Sequence, residues 1–158
     1  MAIGGAVSLA LDDFVAAVGS DHVLTSDDDL REWRDPFAHE SWDDYTASAV
    51  VLPETVEEVQ EVVRIANRHG VPLWTHSTGR NNGYGGPAPR VRGSVIVSLR
   101  RMNRVLEIDE ELGYAVVEPG VRWFDLYEAI QSGGHKLMLS VADLGWGSVV
   151  GITTAEAE

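Results

Sequence analysis

Ten consecutive residues, Ser77-Thr-Gly-Arg-Asn-Asn-Gly-Tyr-Gly-Gly86, concentrate the chemistry legible in this chain. Glycines at 79, 83, 85 and 86 free the backbone to adopt positive φ and to turn several N–H groups toward one concavity. Ser77, Thr78, Asn81 and Asn82 add neutral donors, and Arg80 adds a permanent cation. Many donors, little bulk and no adjacent carboxylate are what a diphosphate requires. The competing reading of such a Gly/Asn cluster is an ordinary surface turn. The glycine spacing does not match G-x-G-x-x-G, and an apolar run at 94–99 follows instead of a helix, so the dinucleotide fingerprint fails. No Gly-Lys-Ser/Thr occurs, which excludes a P-loop.

The elements around this loop must position it. Ser48–Leu52 is a short apolar run closed by Pro53, as expected of a buried strand. Thr55 and Glu58 form a capping box, Val56, Val59, Val62, Val63 and Ala66 continue at helical spacing, and Gly70 stops the helix. Val71–His76 reads as a second strand, so 48–76 is a strand–helix–strand unit with parallel strands and the loop directly after it. Gly93–Leu99 is a third strand. Val105–Ile108 and Tyr114–Val117 flank Asp109–Gly113 as a hairpin. Ahead of all these, 8–31 reads as helical with a break at 19–21; Leu9, Leu11, Phe14, Val15 and Val18 are its expected apolar face. Residues 121–132 form the last helix, with Phe124, Tyr127 and Ile130 sharing a face before Gly133 and Gly134. A second glycine-rich stretch, Ala142–Gly151, follows.

The charge distribution singles out the same region. The chain carries 25 acids and 12 Lys+Arg in 158 residues, a formal net charge of −13. Residues 1–61 hold 15 acids and 2 bases, whereas 62–106 hold no acid and eight arginines, at 64, 68, 80, 90, 92, 100, 101 and 104. The net charge argues against a nucleic-acid-coating protein but leaves room for a local anion site. With no Cys there is no disulfide framework, thiolate metal site or Cys nucleophile. His69 and His76, seven apart on different elements, suggest no metal site, and Gly19–His22 is not a catalytic triad by adjacency alone. No apolar run approaches bilayer length and no basic leader precedes one, so a cytoplasmic location without membrane contact is expected.

The run Pro72–Arg90 resembles the FAD-pyrophosphate loop of the vanillyl-alcohol oxidase family, which includes eugenol oxidase and para-cresol methylhydroxylase. The resemblance continues through Gly93–Val97, Met102–Glu107, Tyr114–Val121 and Phe124–Tyr127, and ends in Asp143–Gly151. It implies a mixed α/β (α+β) chain. A small parallel sheet with flanking helices is followed by a hairpin leading into an incomplete second lobe of the FAD-binding fold of the para-cresol methylhydroxylase type. It also implies roles. Ser77, Thr78, Gly79, Arg80, Asn81, Asn82, Tyr84, Gly85 and Gly86 would wrap the FAD pyrophosphate, and Pro119 would line the adenosine side. Leu144, Gly147, Ser148 and Gly151 would approach the flavin through backbone atoms. Asp143 would be the catalytic carboxylate near the flavin N5 edge; without the surrounding motif it reads as an Asp in a glycine-rich turn. Phe37 stands where some members place a histidine that assists covalent flavin attachment, and His39 is out of register for that role.

The expected organisation is an acidic helical segment at 1–34, the front part of the FAD-binding domain at 35–151, and a divergent end at 152–158. There the family pattern continues with Asn, whereas this chain reads Ile152–Glu158 and stops. The expectation is a truncated chain without the cap domain that shapes the substrate pocket. The resemblance implies FAD-dependent oxidation of para-substituted phenols by hydride transfer, and a homodimer is an option for full-length relatives. Alternatives are a non-catalytic remnant with little or no FAD binding, or another substrate within the same FAD-fold superfamily.

Overall fold

The computed structural model describes residues 5–35, 45–80, 87–141 and 145–155. The chain opens with helix α1 (Gly5–Val18) and a 3₁₀ turn at Ser20–His22. Strand β1 (Val23–Leu24), helix α2 (Asp27–Arg31), strand β2 (Ala49–Val51), helix α3 (Val56–His69) and strands β3 (Leu73–His76) and β4 (Val95–Ser98) follow. The hairpin β5 (Val105–Asp109) and β6 (Tyr114–Val117) then leads to helices α4 (Trp123–Ser132) and α5 (Val149–Ala155).

Strands β2, β4 and β3 are parallel, with β4 between the other two. The two strands of the strand–helix–strand unit are therefore parallel as expected but not neighbours. Strand β4 has no acid or base and is buried throughout, as a central parallel strand must be. Strand β1 adds an antiparallel edge through the register Val23↔Val51. From sequence this stretch falls within the segment 8–31 read as helical, just after its break at 19–21. Two residues are too few to show alternation, and only pairing with β2 makes them a strand.

Helix α3 follows its sequence signals closely. Thr55 Oγ1 accepts from Glu58 N at 3.2 Å, and Gly70 closes the helix at φ 66°. Val62, Ile65 and Ala66 are buried against β2 and β4, together with Val7, Ala10, Phe14 and Val18 of α1. The face of α1 differs from the expected one. Residues 7, 10, 14 and 18 form one stripe at i, i+3, i+7 and i+11, whereas Leu9 lies off it and is 74% exposed. On α4 the buried stripe is Leu126 and Ile130, set against Val105, Ile108 and Val117 of the hairpin. Phe124 and Tyr127, expected on that face, are exposed. Both stripes satisfy helical spacing, and the hairpin selects between them.

The opposite face of the sheet is covered by Leu30 and Trp33, packed on Val50 and Ile96. Acids from the first part of the chain meet arginines from 80–104 in space. Glu32 contacts Arg80 and Arg100, Asp35 pairs with Arg90 at 3.1 Å, and Glu54 pairs with Arg101. No helix among the described residues is long and apolar enough to cross a membrane.

Candidate functional site

Strand β3 ends at His76, and the chain enters the loop at the carboxyl end of the parallel strands, where open α/β sheets bind ligands. The start of the loop hangs from β4 and the turn after it. Leu99 N donates to His76 O at 3.0 Å, Ser98 Oγ to Ser77 O at 3.4 Å, and Arg100 Nη2 to Thr78 O at 3.3 Å. Gly79 sits at φ 69°, and a Cβ there would lie 3.1 Å from His76 Cε1 and 3.2 Å from Pro87 Cβ. Both the dihedral and the space call for glycine. Thr78 is buried, and among the described residues its Oγ1 has no hydrogen-bond partner. An orphaned buried hydroxyl is unusual in a folded chain.

The second glycine-rich stretch arrives from the other side. Trp123 N donates to Gly147 O, Phe124 N to Gly145 O and Val149 N to Val121 O, which ties 145–149 to the start of α4. Ser148 is buried and accepts from Gly151 N at 3.0 Å through Oγ, capping the first turn of α5. A Cβ on Gly151 would meet Ser148 Oγ at 2.6 Å and Ser77 Oγ at 3.4 Å; one on Gly147 would lie 3.3 Å from Arg80 O. The two glycine-rich segments, about 70 residues apart in sequence, therefore abut at Ser77, Arg80, Gly147, Ser148 and Gly151. Pro119 joins the same end of the sheet, because Gly120 N donates to Met102 O at 2.7 Å just beyond β4.

Of the residues singled out in the sequence, Asn81, Asn82, Tyr84, Gly85, Gly86, Asp143 and Leu144 lie outside the described residues, as do Phe37 and His39. Among the described residues no group of three or more His, Asp or Glu is placed to hold a metal ion.

Four residues that the sequence did not assign to the site support the loop from beneath. His76 stacks on Trp33 with ring centroids 5.6 Å apart, and the Arg100 guanidinium lies 4.0 Å from the centroid of the same indole. Glu32 Oε1 lies 3.0 Å from Arg100 Nη1 and 3.4 Å from Arg80 Nη2. The window at 62–106 lacks carboxylates in sequence but not in space, since Glu32 reaches across from the end of α2. Burial lowers the His76 imidazole to about 4, and the Arg100 charge acts in the same direction against the favourable backbone at Ser77. Among the described residues neither ring nitrogen has a partner in full hydrogen-bond geometry, and the lowered pKa makes the ring a neutral plate under the loop.

The described part of the site thus sets the buried Thr78 hydroxyl, the positive-φ Gly79 and the exposed Arg80 beside Gly147, Ser148 and Gly151. Comparison with known proteins identifies that architecture. Residues 47–157 match the family described as FAD binding domain. Over 136 residues the chain is 43% identical to the 4-cresol dehydrogenase [hydroxylating] flavoprotein subunit of Pseudomonas putida, covering 86% of this chain and 26% of that protein. A p-cresol methylhydroxylase structure with substrate bound superposes with a TM-score of 0.90 at 41% identity, over 95% of this chain and 29% of that one. The 4-ethylphenol oxidase of Gulosibacter chungangensis gives 0.89 at 46% identity, with the same coverage. The chain thus spans between a quarter and a third of the length of these relatives. The orphaned Thr78 hydroxyl and the positive-φ Gly79, with the exposed Arg80 side chain beside them, fit the diphosphate of a dinucleotide, while Gly147 and Gly151 let Ile152, Ser148 and Ser77 pack closely behind them. The chain belongs to the FAD-binding domain family of flavoprotein oxidoreductases, among those related to p-cresol methylhydroxylase and 4-ethylphenol oxidase.

Proposed function

We propose that the FAD pyrophosphate is held by Ser77, Thr78, Gly79 and Arg80 with Asn81, Asn82, Tyr84, Gly85 and Gly86. In this reading Pro119 flanks the adenosine, and Leu144, Gly147, Ser148 and Gly151 carry the flavin ring. The observation behind it is the convergence of the two glycine-rich segments at the carboxyl end of the parallel strands. Thr78 Oγ1 supplies a hydrogen bond, the backbone at Gly79 allows close approach, and Arg80 offers a cation. Bound FAD would supply a two-electron hydride acceptor. Asp143 then holds or relays a proton beside the reacting edge. The names of the relatives favour a para-substituted phenol as the substrate of the whole protein to which this domain belongs.

Titrating the purified chain with FAD tests the cofactor site. Saturable quenching of flavin fluorescence is expected, and Thr78→Val should weaken binding about ten- to a hundredfold, the worth of one hydrogen bond to a charged group. Absence of saturable binding overturns the assignment. Anaerobic addition of 4-ethylphenol to the full-length flavoprotein containing this domain tests the substrate class. Bleaching of the flavin band is expected, and loss of bleaching in Asp143→Asn is the expected signature of its role.

A further inference from the structure

Arg80 is the cation of the described part of the loop, yet its guanidinium already faces a carboxylate. Glu32 Oε1 lies 3.4 Å from Arg80 Nη2 and 3.0 Å from Arg100 Nη1. The two arginines are held unequally. Arg100 rests on the Trp33 indole, donates to the Thr78 carbonyl and is 30% exposed at its side chain. Arg80 is 60% exposed and, among the described residues, has the longer contact with Glu32. An anion arriving at the loop can draw Arg80 away from Glu32 at little cost, since exposed pairs of this kind are weak. Arg100 would have to give up three contacts at once. The carboxylate itself stays in place beside the anion, because Arg100 holds it there.

We propose that Glu32 is a built-in competitor for the diphosphate at Arg80, a positioning residue that fixes Arg100 under the loop while lowering the affinity for the phosphates. Glu32 and Trp33 lie outside the 47–157 family match, so the site draws on the segment that precedes it. The inference rests on the diphosphate being bound at 77–80. Its consequence is a site whose affinity is set by opposing charges rather than by the loop alone. Neutralising Glu32 removes the competing charge while an amide in its place keeps a hydrogen-bond acceptor for Arg100.

Calorimetric titration of the chain with FAD, with ADP and with adenosine, at 50 and 300 mM NaCl, tests it. Glu32→Gln is expected to tighten FAD and ADP about three- to tenfold at 50 mM, with most of the gain lost at 300 mM through screening. Adenosine, which has no phosphate, should not respond. In an Arg80→Gln background, Glu32→Gln should tighten FAD and ADP by less than in the wild type, because the competition for Arg80 is gone and only the direct repulsion by the carboxylate is relieved. Unchanged or weakened ADP binding in a Glu32→Gln chain that melts like the wild type overturns the competitor role. Glu32→Ser decides the same point should the glutamine variant be unstable. A wild-type chain that binds neither FAD nor ADP overturns the placement of the diphosphate itself, so the two failures are distinguishable.

Discussion

His76 shows how far a residue's surroundings decide its chemistry. In sequence it is a histidine at the end of a strand, with His69 seven residues away suggesting no metal site. In the structure it is a neutral ring between Trp33 and the loop, with its pKa lowered to about 4. An unfolded chain takes up the proton near 6.5, so the unfolded state binds more protons between about 6.5 and 4. Stability is then complete above 6.5 and is lost as the pH falls through that window. The shift corresponds to a loss of about 2 kcal/mol between pH 7 and pH 5. Urea unfolding at the two pH values should show this loss in the wild type and a much smaller one in His76→Leu. Equal losses in both would place the acid sensitivity elsewhere. No feature of the sequence anticipates this, because it depends on Trp33 folding over from 43 positions earlier. Arg80 teaches the same lesson with charge: the absence of acids from 62–106 is a fact about the chain, and Glu32 cancels it in space.

Elements governed by local contacts were the most legible ones. Helix α3 begins at Thr55 and ends at Gly70 because a hydroxyl cap and a left-handed glycine act within one turn. Its start can be tested directly. Thr55→Ala should cost about 1 kcal/mol and lower the melting temperature by about 2–4 °C while leaving FAD affinity unchanged. Loss of FAD binding along with it would mean that α3 orders the loop, which the structure does not suggest. The strand order β1-β2-β4-β3, by contrast, is a choice among pairings that periodicity cannot make, and so is the buried face of α4. Phe124, Tyr127 and Ile130 form a credible stripe in isolation. The hairpin residues Val105, Ile108 and Val117 instead bury Leu126 and Ile130, and the Phe124 ring meets Trp146 edge-on at 5.2 Å. The glycine-rich loops lie between these cases. Their composition was legible, whereas their meeting at Ser77 and Gly151 needed the whole fold.

At the scale of the molecule, net charge and exposed apolar surface oppose one another. Among the described residues the hairpin strands pair only with each other, and Leu106, Tyr114 and Val116 stand exposed on them. A two-stranded sheet with exposed apolar residues and free edges is an association surface. The formal charge of −13 at pH 7 keeps chains apart by mutual repulsion. That protection disappears near the isoelectric point of about 4.6, where the apolar contacts act unopposed. Light scattering should therefore stay low at pH 7.5 and rise steeply as the pH approaches 4.6. Leu106→Thr with Val116→Thr keeps both β propensity and charge while removing apolar area. The double variant should scatter less at pH 4.6 and bind less of a hydrophobic dye at pH 7.5, with a stability change within about 1 kcal/mol. Scattering that follows the same pH curve in both proteins would shift the association to another surface, of which the exposed Phe124, Tyr127 and Trp146 beside α4 are the next to test.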